Sequence, residues 1–192
     1  MAVASLPKVE RPSRLWTYDE MLAELPETNL PVELWDGELI MAPAPFYFHQ
    51  HIVLYLYRKL HEWVEARKLG IVLAAPMDMV LTQHNVTQPD VLFISKERRE
   101  ILKNAIHGAV DLAMEVISTG SRRRDRIDKR DLYEQHGIKE YWVIDPEAQT
   151  VEVFFLDGQQ YRLLARSRAG DNACSKLLEG FCIDVKEMFT AP

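Results

Sequence analysis

Apolar and polar positions along residues 111–145 follow a pattern that predicts a strand, a helix and a second strand. Residues 112–117 form a continuous apolar run with a single charged side chain, as in a buried strand. After it, three side chains recur every four positions, which is the spacing of one helix face: Asp125, Lys129 and Tyr133. A second apolar run covers residues 141–144. This order predicts a βαβ-like crossover.

The N-terminal part of the chain predicts two helices with a hairpin between them. A capping residue, Thr17, is followed by acids and an apolar stripe, which indicates a short helix that ends before Pro26. Residues 32–41 carry apolar side chains on both sides of the turn dipeptide Asp36-Gly37, and this pattern predicts a β-hairpin. Apolar residues at helical spacing over 48–68 predict a long amphipathic helix.

Short apolar runs in the rest of the chain predict the strands of a sheet. Three of them are separated by Pro76 and by the polar stretch 82–88: residues 71–75, 77–81 and 91–95. Two more flank the turn dipeptide Asp157-Gly158 and predict a second hairpin that extends the sheet: residues 151–156 and 161–165. Residues 175–189 end the chain with an apolar docking segment.

The composition fits one domain. With 192 residues, 47% of them hydrophobic, the chain is long enough to bury a core and short enough to form one unit. We expect a flexible arm at residues 1–14, where mixed charges and prolines interrupt any periodicity, and a single domain at 15–192. No apolar run is long enough to cross a bilayer and the N-terminus has no signal-peptide pattern, so we expect a cytoplasmic protein without membrane contact.

The charge is negative overall but includes one basic cluster. A net charge of -6 argues against a surface that binds nucleic acid as a whole. Between positions 122 and 130, however, six basic residues accompany two acids. This patch can contact phosphates, and its candidate phosphate-binding residues are Arg122, Arg123, Arg124 and Arg126. The alternative is a solvated helix face held by salt bridges.

The chain contains two cysteines, Cys174 and Cys182. They lie in apolar or mixed sequence near the C-terminus, and their spacing is not that of a metal knuckle. We interpret both as ordinary thiols that take no part in chemistry.

Three residues near the predicted crossover are candidates for catalysis. Glu115 lies inside the apolar run, and a buried carboxylate requires a metal ion or a basic partner because desolvation of an isolated charge is costly. Asp90 follows Pro89 at the entry of a strand. Two carboxylates on neighbouring strands can hold a hard divalent cation, and the ammonium of Lys129 can orient a water. The alternative is a buried Glu115–Lys129 salt bridge, with Asp90 capping a turn.

Seven segments in this order resemble the PD-(D/E)XK nuclease superfamily and, within it, a bacterial restriction endonuclease-like family of unknown function. They extend over nearly the whole chain and read ELWDGELIM (33–41), APAPFYFHQ (42–50), AAPMDMVL (74–81), QPDVLFIS (88–95), DLAMEVIS (111–118), RRRDRIDKRDLYEQHGI (122–138) and EYWVIDP (140–146). The resemblance implies an α/β fold with a restriction-endonuclease-like mixed β-sheet flanked by helices, together with N-terminal and C-terminal β-hairpins.

The resemblance also implies a metal site. Asp90 and Glu115 would hold Mg²⁺, with Mn²⁺ as an alternative, and the carbonyl of Val116 would be a further ligand. The usual lysine of the superfamily stands two residues after the second acid, where this chain has Ile117. Lys129 on the following helix is the natural substitute. A second group of residues would line the cleft: Glu33, His49, Asp78, Gln88, Asp125 and Tyr133.

These observations lead to one main hypothesis and two alternatives. The main hypothesis is a Mg²⁺-dependent endonuclease that hydrolyses DNA, with Asp90, Glu115 and Lys129 as catalytic residues. We expect a homodimer, because cutting both strands of a duplex often needs two sites. The alternatives are a nuclease-fold module that binds nucleic acid without turnover and a scaffold that binds another protein partner.

Overall fold

A computed structural model describes residues 15–26, 31–41, 44–118 and 127–190. The α-helices within these ranges are α1 (Tyr18–Glu24), α2 (Tyr47–Arg67), α3 (Lys129–Gln135) and α4 (Val185–Phe189), and a 3-10 helix spans Lys96–Ile101. The strands are β1 (Val32–Trp35), β2 (Glu38–Met41), β3 (Gly70–Ala74), β4 (Met79–Thr82), β5 (Asn85–Thr87), β6 (Val91–Ser95), β7 (Ile106–His107), β8 (Leu112–Val116), β9 (Glu140–Asp145), β10 (Thr150–Asp157), β11 (Gln160–Arg168), β12 (Asn172–Cys174) and β13 (Cys182–Asp184).

The larger sheet contains the predicted crossover. Its strand order is β11-β10-β9-β8-β6-β3. Strands β8 and β9 run parallel, with α3 between them in the chain, whereas their other neighbours in this sheet pair antiparallel. The βαβ-like crossover is therefore present, and the hairpin of β10 and β11 extends the sheet at one edge.

A second mixed sheet, in the order β2-β1-β5-β4-β7, differs from the single sheet expected from sequence. The polar stretch 82–88 was predicted to separate strands, but it contains β5, which pairs with both β1 and β4. Val86 of β5 is fully buried, and Asn85 accepts a 3.0 Å hydrogen bond from the backbone of Asp36 in the β1–β2 turn. A strand of three residues is too short for its alternation to stand out in the sequence.

Side chains of β8 alternate between two apolar layers. Leu112, Met114 and Val116 pack in the layer that contains the buried face of α2. Ala113 belongs to the layer on the other side, together with Leu132 and Tyr133 of α3 and Met79 of the second sheet. Because successive side chains of a strand point to opposite faces, Glu115 lies on the same side as Ala113, between the two sheets and α3.

Cys174 and Cys182 form a disulfide, so the prediction of two ordinary thiols was wrong. The two residues are directly opposed partners in the β12–β13 pair. Each of these strands has only three residues, and no hairpin signal in the sequence brings the two cysteines together.

Among the described residues, no helix is both long and apolar enough to cross a membrane.

Candidate active site

Lys129 lies at the centre of the candidate site. It is the first residue of α3, only 5% of its surface is exposed, and it faces the layer between the sheets. Its Nζ atom lies 2.8 Å from Glu115 Oε1 and 3.1 Å from Glu33 Oε1. Glu33 is on β1, beside Leu34, whose side chain points to the opposite layer. Strands of both sheets thus place a carboxylate against one ammonium group.

Glu115 has a second partner on α3. It is 2% exposed, and its Oε1 accepts a 2.8 Å hydrogen bond from the hydroxyl of Tyr133, one helical turn after Lys129. The same hydroxyl contacts Thr87 Oγ1 at 3.2 Å. Burial, with the charges of Glu115 and Glu33, raises the pKa of Tyr133 well above its usual value. The hydroxyl therefore stays protonated and acts as a donor to Glu115.

Asp90 lies opposite Glu115 at the edge of the larger sheet. The antiparallel register pairs Val91 with Met114, so one further residue along the ladder sets Asp90 against Glu115. Its Oδ2 accepts a 2.8 Å hydrogen bond from the Val116 backbone and lies 3.4 Å from His49 Nε2. The Asp90 side chain is 17% exposed. Access from solvent to the pair of carboxylates is therefore on the Asp90 side.

Gln88 connects this group to a neighbouring acid. Its backbone N–H donates to Glu33 Oε1 at 2.9 Å, and its Nε2 donates to Asp78 Oδ1 at 2.7 Å. Asp78 Oδ2 also accepts a 3.2 Å hydrogen bond from the hydroxyl of Tyr18. Burial first, and then the charge and hydrogen bond of Asp78, raise the pKa of Tyr18 to about 12.

The oxygen-rich character of the site fits a hard divalent cation. Asp90 Oδ2 and Glu115 Oε1 accept the hydrogen bonds described above. Carboxylate and amide oxygens are also the ligands that Mg²⁺ and Mn²⁺ prefer. The buried Oε1 of Gln88 accepts no hydrogen bond within the described part of the chain. No three His, Cys, Asp or Glu side chains in that part form a ready-made metal cluster. The fit therefore rests on the Asp90–Glu115 pair and nearby oxygens.

Most of the residues predicted for the site come together. Glu33, Gln88, Glu115, Lys129 and Tyr133 form one hydrogen-bonded group, His49 contacts Asp90, and Asp78 adjoins the group through Gln88. Several predicted residues lie outside the described residues: Asp125, Arg122, Arg123, Arg124 and Arg126.

Sequence reasoning did not find Thr87 and Tyr18. Thr87 is fully buried and contacts the Tyr133 hydroxyl, but it ends β5, which the sequence did not reveal. The only available signal was its place immediately before Gln88. Tyr18 reaches Asp78 from 60 positions away, a contact that no local pattern encodes.

The comparison with protein families decides the classification. Residues 18–186 match the model of the family described as "Uma2: Putative restriction endonuclease". The chain belongs to the Uma2 family. The resemblance to restriction endonuclease-like proteins inferred from the sequence is thereby confirmed. The matched range of this Uma2 chain includes every candidate site residue named above.

Two solved structures are similar to this Uma2 chain. One is a crystal structure of "a putative nuclease belonging to DUF820" from Anabaena variabilis, with 22% identity and a TM-score of 0.76. That match covers 90% of this chain and 97% of the other, and it shows the shared fold. The other is the type IIG restriction endonuclease BpuSI, with 13% identity, a TM-score of 0.37, and coverage of 63% of this chain and 13% of the enzyme. No curated protein matches the chain.

Proposed function

We propose that this protein is a divalent-cation-dependent endonuclease that hydrolyses phosphodiester bonds in DNA. The observation that carries the proposal is the arrangement of Asp90 opposite Glu115, with Lys129 Nζ 2.8 Å from Glu115 Oε1. Membership of the family described as "Putative restriction endonuclease" supports the same reaction class. In the proposed site, Asp90 and Glu115 would bind the cation. The scissile phosphate would contact the cation and the ammonium group of Lys129.

Each residue of the central group has a role in this proposal. Asp90 and Glu115 hold Mg²⁺ or Mn²⁺, and the Val116 carbonyl is a further ligand. A bound cation of this kind polarises the scissile phosphate and lowers the pKa of a bound water. Lys129 orients the attacking water and stabilises negative charge on the phosphate. Tyr133 fixes the carboxylate of Glu115 through its 2.8 Å hydrogen bond.

Binding of DNA in this proposal depends on local positive charge. The net charge of the chain is -6, so contact with a polyanion requires a basic patch. The four arginines before α3 are assigned to phosphates that flank the scissile bond: Arg122, Arg123, Arg124 and Arg126. The proposal includes a homodimer, because cutting both strands of a duplex often needs two sites.

The experiment that tests the function is nicking of supercoiled plasmid DNA with Mg²⁺ or Mn²⁺. Asp90→Asn removes the charge of a cation ligand, and Lys129→Gln removes the ammonium while keeping a hydrogen-bond donor. We expect each change to lower the cleavage rate by about 100-fold or more.

Asp157→Asn, at an exposed acid of the β10–β11 turn, is the matched control and should cleave like the wild type. Circular dichroism and thermal unfolding of every variant establish that the fold is retained. Wild-type cleavage by both folded site variants would contradict the proposal.

A module that binds nucleic acid without turnover is the second candidate function. It is favoured by one observation, namely that Lys129 already contacts two carboxylates at 2.8 and 3.1 Å. An ammonium held in this way resembles a structural ion pair. Salt-dependent retention of DNA by a protein that does not bind Mn²⁺ in calorimetric titrations would support this candidate.

A further inference from the structure

The amide of Gln88 has a fixed orientation. Its Nε2 lies 2.7 Å from Asp78 Oδ1, and an ionised carboxylate only accepts hydrogen bonds. The NH₂ group must therefore face Asp78, and the carbonyl oxygen Oε1 must point away from it. Asp78 is itself held by the hydroxyl of Tyr18 at 3.2 Å, and the Gln88 backbone is held by Glu33 at 2.9 Å.

The carbonyl oxygen of this amide is buried. It accepts no hydrogen bond from the residues that the structure describes. A buried acceptor without a donor or a cation costs free energy, and such atoms in native proteins have a specific cause. The Nε2 contact excludes a simple exchange of the amide oxygen and nitrogen as that cause, because the exchange would set an oxygen against the Asp78 carboxylate.

The surroundings of Gln88 favour a cation as the partner of its oxygen. Two acids contact Gln88 directly, Glu33 at its backbone N–H and Asp78 at its side-chain amide. Glu33 and Glu115 share the ammonium of Lys129, and Asp90 lies opposite Glu115. Gln88 also precedes Asp90 by two positions on the same segment. Amide oxygens are ordinary ligands of Mg²⁺ and Mn²⁺, and carboxylates in the same site add the required negative charge.

We propose that Gln88 Oε1 is a further oxygen donor of the divalent-cation site, in direct contact with the ion or through one bound water. Asp78 acts as the residue that orients this donor. The inference rests on the cation site of the proposed function, but it does not depend on DNA being the substrate or on turnover.

The test is calorimetric titration of the full chain with Mn²⁺. Gln88→Met keeps a side chain of similar length without the oxygen, and we expect it to weaken Mn²⁺ binding by about tenfold or more. Gln160→Met, at an exposed glutamine of the β10–β11 hairpin, is the control and should bind like the wild type.

The outcomes separate this inference from the proposed function. Wild-type Mn²⁺ affinity in folded Gln88→Met would overturn the inference, and absence of Mn²⁺ binding by the wild type would overturn both proposals. If Gln88→Met binds Mn²⁺ more weakly than the wild type and the wild type cleaves no DNA, the Gln88 assignment is supported and the endonuclease proposal is contradicted.

A second measurement uses the wild type alone, in case Gln88→Met does not fold. In a Mg²⁺ titration followed by NMR, the side-chain amide signals of Gln88 should shift while those of Gln160 stay in place. Unchanged Gln88 signals at saturating Mg²⁺ would overturn the inference.

Discussion

At the scale of single residues, the acids around Lys129 are the main argument for a functional site. One ammonium group lies within 3.1 Å of the carboxylates of both Glu33 and Glu115. Asp90 lies opposite Glu115 on the neighbouring strand. Paired carboxylates are ligands of hard divalent cations, which is why we favour a cation site over a simple salt bridge.

The sequence predicted part of this residue group for a physical reason. A charge in a buried strand needs a partner, so the contact of Glu115 with Lys129 could be anticipated, and helical spacing placed Tyr133 on the same helix face as Lys129. The position of Glu33 does not follow in this way. Its local sequence is equally compatible with an exposed strand carboxylate, because its contact with Lys129 depends on how the second sheet packs against α3.

Tyr18 provides a prediction about pH. Its pKa is raised from 10.0 to about 12 by burial and by Asp78, so above pH 10 the unfolded chain releases this proton while the folded protein keeps it. The contribution to folding stability is complete below pH 10 and is lost as the pH rises towards 12. We expect the free energy of unfolding, measured with urea, to fall more steeply between pH 10 and 12 in the wild type than in Tyr18→Phe.

Equal slopes for the two proteins would contradict the assigned contact between Tyr18 and Asp78. Ultraviolet titration of tyrosinate in the folded proteins is the independent check. It should show one high-pKa group fewer in Tyr18→Phe.

At the scale of elements, the sequence was most informative where periodicity was long. The run 112–117 and the helical spacing after it predicted β8, α3 and the parallel strand β9. The second sheet was not predicted because its strands are short and its order depends on contacts between distant segments. Leu34 of β1 pairs with Val86 of β5, 52 positions later (86 minus 34), and local patterns do not record such a contact.

The β12–β13 pair supplies a prediction at this scale. The disulfide between Cys174 and Cys182 closes a loop with a sequence separation of 8 and restricts the unfolded chain. We expect Cys174→Ser/Cys182→Ser to lower the free energy of unfolding by about 2 kcal/mol, measured with urea. The structural effect of the double substitution should be confined to the β12–β13 pair, because both side chains are exposed.

Thiol titration under denaturing conditions is the direct control for this prediction. The unreduced wild type should release no free thiol, and treatment with a reductant should release two. Two free thiols before reduction would contradict the disulfide.

At the scale of the whole molecule, the fold brings two sheets together around one polar group in an otherwise apolar layer. Glu33 comes from the smaller sheet, Asp90 and Glu115 come from the larger one, and Lys129 comes from the crossover helix. The fold is shared with the Anabaena variabilis protein, at a TM-score of 0.76 and with coverage of 90% of this chain. The molecule is acidic overall, so we expect its affinity for DNA to depend on the divalent cation and on the arginines that precede α3.

The measurement that tests this account most directly is a crystal of the protein soaked in Mn²⁺, with the anomalous signal used to locate the ion. The account predicts anomalous density between the carboxylates of Asp90 and Glu115, at ligand distances of about 2.0–2.3 Å from an oxygen of each. An identical soak of Asp90→Asn should show no such peak. Anomalous density that lies only elsewhere on the molecule, or none at all in the wild type, would contradict the proposed cation site.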